Sequence, residues 1–335
     1  MTIQRLLKEK VLRRASLPMG NWQIISVAQS LSVPLIAEDY PAKTPAMWNS
    51  AYEHFGMRDR NFMVVADPKD AAKIMKTFRN DPKYRGGGAG IGWKEIVIPY
   101  LDEVTPMAKA MGAVNIVKKT DPAYLIGDNT DGVGFAQSLA DMFPKGYKLR
   151  DKEVLLLGAG GSGRAIAFAL ADFGTRVNIV NRTEEKAVSL AKDVKAYFNG
   201  VKVKGFGRNE IASLIPSADA VVSVVDDVAS PFDQYSTIGA MDFPVSPRTV
   251  ERNQMNSEQI LKTAKRSLIV SDIRIRREKT PMLVQAEKLG FKILDGIPMV
   301  INQGVQAFHF LYDEELGEKD IKPREVYRIM KEAIQ

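Results

Sequence analysis

From about residue 61 onward, short apolar runs alternate with stretches whose apolar residues recur every three or four positions. That pattern predicts strands alternating with helices. The clearest run, 154–157, contains no polar residue and predicts a strand buried on both faces of a parallel sheet. Residues 165–170 continue it as a helix. Further strands are predicted over 61–66, 113–118, 123–127, 176–180, 201–205, 218–225, 267–272 and 292–294. Helices are predicted over 45–55, where Pro45 opens the first turn, and over 68–79, 93–101, 105–111 and 131–142. More follow over 184–198, 209–215, 280–289, 303–311 and 323–334. Residues 35–45 read as a loop. Residues 85–92 hold five glycines and read as a flexible loop or a place where backbone meets ligand.

These elements divide by pattern. The α/β alternation is regular over 135–296, which predicts one domain. Residues 1–134 predict another, rejoined by the C-terminal helices of 297–335. A length of 335 residues fits two domains, and a cleft between them is the default place for an active site. The first fourteen residues are basic and read as a surface helix or N-terminal extension. Glu9 and the lack of a serine-rich stretch argue against a mitochondrial presequence.

Composition narrows the chemistry. With 45% hydrophobic and 26% charged residues, the chain has an ordinary core and a soluble surface. No run approaches the roughly 18 apolar residues of a membrane span, so no membrane partner is expected. The net charge of +7 comes from scattered lysines and arginines, which favours anionic small molecules over nucleic acid. The chain has no cysteine and only two histidines, His54 and His309. Disulfides and thiolate chemistry are excluded, no metal site is expected, and a reducing, cytoplasmic setting fits.

The strand at 154–157 runs into Gly158-x-Gly160-x-x-Gly163 and then the helix. Strand, tight turn and helix are the context that a dinucleotide-binding fingerprint requires. Gly158 permits the turn, Gly160 admits a pyrophosphate, and Gly163 lets helix and strand pack closely. The whole turn, with Ala159, Gly161 and Ser162, is therefore a candidate cofactor site at a helix N-terminus. The second strand ends in Asn181-Arg182-Thr183, where an acidic residue would hold the ribose 2′-hydroxyl of NAD. A guanidinium there suits a 2′-phosphate, so NADP is the expected cofactor. Taken alone, Arg182 could be a solvated surface residue.

With these motifs the chain resembles the shikimate/quinate dehydrogenase family over about residues 36–312. The resemblance rests on Gly112-Ala113-Val114-Asn115, Gly127-Asp128-Asn129-Thr130-Asp131-Gly132, the fingerprint with Asn181-Arg182-Thr183, and Gly296-Ile297-Pro298-Met299 followed by Gln303. It implies an N-terminal α/β substrate domain and a Rossmann NADP domain. It also implies alcohol–ketone interconversion on a small hydroxylated ring, by a monomer or homodimer. Matched by motif, the catalytic pair is Lys94 and Asp131. Reduction of a ketone develops negative charge on oxygen, which a nearby acid must quench. Lys94 alone would read as a solvated lysine, and Asp131 as a helix N-cap. Thr44, Asn115 and Gln303 match substrate-binding positions, while Ser223, Gly296 and Met299 match positions along the cofactor.

The departures from the family pattern cluster on one side of the expected pocket. Its Ser-x-Ser-Pro, which grips a substrate carboxylate, reads Ala42-Lys43-Thr44-Pro45. Its Asn-Val-Thr-x-Pro-x-Lys reads Gly88-Ala89-Gly90-Ile91-Gly92-Trp93-Lys94. A substrate-facing tyrosine aligns with Ile275, and a stretch near the nicotinamide ribose reads Ser223-Val224-Val225-Asp226. Either the substrate is a different hydroxylated ring, or a cation such as Lys43 or Arg85 replaces the hydroxyl clamp. Trp93 suggests a more apolar substrate face or, equally, core packing. The leading reading is a dehydrogenase with an altered substrate. The alternatives are an authentic shikimate dehydrogenase and a non-catalytic NADP-binding regulator.

Overall fold

The computed structural model describes residues 2–15, 31–120, 123–144, 149–225, 232–239, 246–275 and 278–335. Asp226 lies outside the described residues. The chain divides into two compact units, residues 1–130 with 300–335, and residues 131–299.

The first unit is built on a mixed sheet. Its strands are β1 (Arg13–Arg14), β2 (Leu31–Ile36), β3 (Asp59–Val65), β4 (Gly86–Ala89), β5 (Glu103–Val104), β6 (Ile116–Thr120) and β7 (Tyr124–Asp128), in the order β1-β3-β2-β4-β6-β7-β5. The central strands β3, β2 and β4 run parallel, and β6 lies antiparallel to β4. Helices α1 (Ile3–Lys8), α2 (Thr44–His54), α3 (Ala71–Asn80) and α4 (Pro106–Met111) belong to this unit.

Several of its elements differ from what the sequence pattern predicts: β2 ends in Leu35 and Ile36, which read as loop, and α1 buries Ile3 and Leu6 in the core rather than lying on the surface. Residues 86–89 form a strand rather than a flexible loop. A Cβ at Gly87 would lie 2.2 Å from Pro34 O, so glycine is there to let β4 press against β2. Residues 93–101 do not form a helix; turns lead into a short 3₁₀ segment, Ile98–Tyr100. Gly92, at φ +79°, and Pro99 interrupt the helical path.

The second unit carries a wholly parallel sheet. Its elements are α5 (Asp131–Ala140), β8 (Glu153–Leu157), α6 (Gly161–Asp172), β9 (Arg176–Asn181), α7 (Glu184–Tyr197), β10 (Val203–Gly207), α8 (Ile211–Leu214), β11 (Ala220–Ser223), α9 (Pro247–Lys262), β12 (Ile269–Asp272), α10 (Pro281–Lys288) and β13 (Lys292–Leu294). The order β10-β9-β8-β11-β12-β13 is that of a doubly wound dinucleotide fold. The chain reverses its direction of growth between β8 and β11, where Leu157 is flanked by Val180 and Ser223. All four residues of β11 are buried, as a central parallel strand requires. Close helix packing uses glycine again: a Cβ at Gly132 on α5 would lie 2.1 Å from Ala165 O on α6.

The chain closes with α11 (Ile297–Glu318) and α12 (Pro323–Glu332). From residue 300 onward they belong to the first unit, where α12 packs on α2. Phe308 of α11 meets Trp48 edge-on at 5.5 Å and Tyr52 at 5.4 Å between ring centroids. Such pairs add about 0.5–1.5 kcal/mol each beyond their burial.

Candidate functional site

The fingerprint turn has the shape its glycines predict. Gly158 sits at φ +116°, which L side chains rarely adopt. A Cβ at Gly163 would lie 2.3 Å from Gly158 O, so only glycine lets α6 start this close to β8. Gly160 caps α6 with no side-chain hydrogen bond, and nothing stands within 4 Å of where its Cβ would be. Gly161, Ser162 and Gly163 form the first turn of α6. The turn and the end of β9 are tied together: Ala159 N–H donates to Asn181 Oδ1 at 3.3 Å, and Asn181 Nδ2 donates to Thr183 O at 2.9 Å.

A cavity of about 290 Å³ opens at this turn. Gly158, Ala159, Gly160, Asn181, Arg182 and Thr183 line it, together with Lys186 and Arg208. Three cations thus stand at the β9 end, with no acidic side chain among the described lining residues. Sequence reasoning missed two of them. Lys186 was legible, since it follows Thr183 by one turn on α7. Arg208 needs the sheet: Gly207 pairs with Asn181 across β10 and β9, which brings the next residue to the same edge. The glycine turn, the open face at Gly160 and the three cations fit a dinucleotide with a phosphate on its adenosine ribose.

The remaining cofactor candidates stand apart from that lining. Ser223 is fully buried and its hydroxyl lies 2.9 Å from Thr237 Oγ1, so it positions a residue of the cavity wall. A Cβ at Gly296 would lie 2.1 Å from Ile273 O, a close approach that fixes the start of α11. Met299 is buried in the first turn of α11.

In the first unit, polar candidates converge at one end of the sheet. Asn115 precedes β6, and its Oδ1 accepts the Thr130 backbone N–H at 2.9 Å. Its Nδ2 donates to Thr130 Oγ1 at 3.1 Å and to Gln303 Oε1 at 3.4 Å. Thr130 Oγ1 also donates to Gln303 O at 3.1 Å. Lys94 is half-buried in the turn after β4, and its carbonyl accepts the Val114 N–H at 2.8 Å, which sets it beside Asn115. Ala89 N–H donates to Asn115 O at 2.9 Å. Thr44 and Lys43 are half-buried at the start of α2. Asp131, buried, follows Thr130 directly and begins α5 of the second unit.

The structure also assigns the departures. Ala42 is buried in a small apolar cluster with Leu35, Ala37 and Met63 and offers no hydroxyl of its own. Trp93 is 1% exposed within the main core of its unit, which makes it a packing residue rather than a substrate face. Arg85 is paired with acidic side chains. Its Nη2 lies 2.5 Å from Glu315 Oε1 and its Nε 3.8 Å from Asp59 Oδ1. Burial pushes the Asp59 carboxyl above its ordinary value, against the Tyr312 hydroxyl and Arg85. Ile275 is exposed.

Among the described residues, no group of three or more His, Asp or Glu side chains could hold a metal ion. No helix there is long and apolar enough to cross a membrane.

The chain also matches known proteins. Residues 40–117 match the model of the shikimate dehydrogenase substrate binding domain, and residues 138–231 that of shikimate / quinate 5-dehydrogenase. It is 34% identical over 269 residues to a shikimate dehydrogenase (NADP(+)) of Bacillus cereus, covering 79% of this chain and 86% of that one. A crystal structure of a shikimate dehydrogenase in complex with NADP+ superposes with a TM-score of 0.73 at 26% identity, covering 95% of this chain and 98% of the other. The fold alone is shared with a quinate dehydrogenase from Corynebacterium glutamicum in complex with NAD, at 23% identity and TM-score 0.68 over 90% of this chain and 98% of that one. It is likewise shared with the 5-ketofructose reductase of a Gluconobacter strain, at 24% identity and TM-score 0.67 over 91% and 99%. The chain belongs to the shikimate/quinate dehydrogenase family of NAD(P)-linked oxidoreductases, with an N-terminal substrate-binding domain and a parallel six-stranded dinucleotide-binding domain.

Proposed function

We propose that the protein is an NADP-dependent dehydrogenase that interconverts an alcohol and a ketone on a hydroxylated ring, with a substrate preference shifted away from shikimate. One observation carries the reading. The hydrogen-bonded set Asn115, Thr130 and Gln303 is intact beside Lys94, while Ala42, where the family has a carboxylate-gripping serine, lies in an apolar cluster.

NADP supplies a hydride acceptor or donor when bound. Arg182, Lys186 and Arg208 favour its 2′-phosphate, and the amides at the start of α6 favour its pyrophosphate. In the direction of reduction, the Lys94 ammonium stabilises the negative charge that develops on the substrate oxygen and delivers a proton to it. Asp131 acts with Lys94 as its carboxylate partner. Asn115 and Gln303 hold ring hydroxyls. Their amide groups are already constrained by each other and by Thr130, so little side-chain entropy is lost on binding.

The test is NADPH formation from shikimate and from quinate by the wild type and by Lys94→Ala, with NADP+ affinity measured alongside. Weak, Lys94-dependent turnover by a protein that binds NADP+ tightly is expected. Efficient turnover of shikimate would instead make the protein an ordinary shikimate dehydrogenase. Turnover that survives Lys94→Ala would remove Lys94 from the mechanism.

A further inference from the structure

The loop joining β2 to α2 lays two polar groups on the segment that carries Lys94. Glu38 N–H donates to Ile91 O at 3.0 Å, so the loop runs alongside that segment. A Cβ at Gly92 would lie 2.6 Å from Glu38 Oε1. One at Gly90 would lie 3.2 Å from Tyr40 Oη and 2.8 Å from Ala37 Cβ. The Glu38 carboxylate and the Tyr40 hydroxyl therefore occupy space that side chains at residues 92 and 90 would take. Gly92 and Gly90 precede Lys94 by two and four residues, and Ala89 is bonded to Asn115. All of this stands past the C-terminal ends of β2 and β4, the end at which α/β sheets bind ligands.

The two groups differ in how firmly they are held. The Tyr40 ring packs against the cluster of Leu35, Ala37, Ala42 and Met63, which fixes where its hydroxyl points. Glu38 is exposed and held by its backbone. Tyr40 can donate one hydrogen bond and accept others, and a carboxylate accepts two hydroxyl hydrogens at once. Together they match a ring bearing adjacent hydroxyls. They mismatch a carboxylate, which would meet a like charge at Glu38.

We propose that Glu38 and Tyr40 are specificity-determining residues that select a neutral polyhydroxylated ring over one bearing a carboxylate. The proposal rests on the reading of the chain as a dehydrogenase of hydroxylated rings. Lys43, the one cation of the same loop, is the competing determinant, and it favours the opposite substrate.

The experiment compares kcat/KM for shikimate and for its methyl ester, the same ring without the charge. It uses NADP+ with wild type, Glu38→Gln, Tyr40→Phe and Lys43→Met. Wild type should favour the ester by about tenfold or more, the scale of one like-charge contact near a protein surface. Glu38→Gln should raise kcat/KM for shikimate and lower it for the ester, collapsing the ratio. Tyr40→Phe keeps the packed ring and should raise KM for the ester with kcat largely kept. A wild-type preference for shikimate that Lys43→Met abolishes would overturn the proposal while leaving the dehydrogenase reading intact. So would an ester preference that Glu38→Gln leaves unchanged. Turnover of neither compound by a protein that binds NADP+ would overturn the proposal, since this loop would then read neither form of the ring, and would leave a dehydrogenase of another hydroxylated ring standing.

Discussion

Asn115 holds Thr130 by both ends: its amide oxygen accepts the Thr130 N–H at 2.9 Å and its amide nitrogen donates to Thr130 Oγ1 at 3.1 Å. The next residue in the chain is Asp131. A side chain proposed to meet substrate thus also fixes the backbone from which the proposed catalytic carboxylate departs.

Asn115→Ala should therefore damage more than binding. It leaves the buried Thr130 N–H without its acceptor, at a cost of about 1–3 kcal/mol. Urea unfolding should show that loss, and KM and kcat should both worsen. A variant with unchanged stability and only a raised KM would mean that Thr130 finds another acceptor and that Asn115 serves substrate alone.

Arg182→Ala should separate the two cofactors. A charged hydrogen bond to phosphate contributes about 1.5–3 kcal/mol, so NADP+ affinity should fall by about tenfold or more. NAD+ has no phosphate there and its affinity should barely move. Calorimetric titration of both dinucleotides reads the difference. Equal losses for the two would place Arg182 at the pyrophosphate or adenine instead.

The cofactor cavity was legible in the sequence because its signals are local. An apolar run, three glycines and Asn181-Arg182-Thr183 lie within thirty residues and force strand, turn, helix and strand in order. Strand β4 was illegible because its sequence, Gly-Gly-Gly-Ala, lacks the apolar alternation that marks a strand. What makes it one is the approach of β2, visible only once Pro34 O stands 2.2 Å from where a Gly87 Cβ would be. Helix α9 escaped for a related reason. Asn253 and Ser257 take buried positions on it and hide its apolar periodicity, because they bond the segment at Ser236 and Gly239. Glu38, Tyr40 and Arg208 were equally out of reach, since each gains its place from a strand or loop distant in the chain.

Arg274→Met should test an ion pair at the C-terminal end of β12. Arg274 and Asp272 are 7% and 0% exposed, with Nη2 2.6 Å from Oδ2, and Thr280 Oγ1 donates to the same carboxylate at 2.9 Å. Removing the guanidinium strands a buried carboxylate, which typically costs about 3–5 kcal/mol. The double variant Asp272→Asn, Arg274→Met removes the stranded charge and should regain part of that loss. If the double variant were no more stable than the single one, the pair's value would lie in shape rather than charge.

His309 supplies a pH dependence with a defined sign. It sits on α11, where its Nε2 is buried without a hydrogen-bond partner among the described residues. Burial disfavours the imidazolium and holds the pKa below its ordinary 6.5. The unfolded chain, with the ordinary value, binds more protons than the fold in the window between the depressed pKa and 6.5. Stability should therefore fall as pH drops below 6.5 and level off once the folded-state pKa is passed. His309→Gln keeps a neutral polar side chain and removes the titration. Urea unfolding at about pH 7.5 and about pH 5.5 should show wild type losing more stability than the variant. Equal losses would mean that the imidazolium is accommodated on protonation, by rotation of the ring to solvent or by a new acceptor.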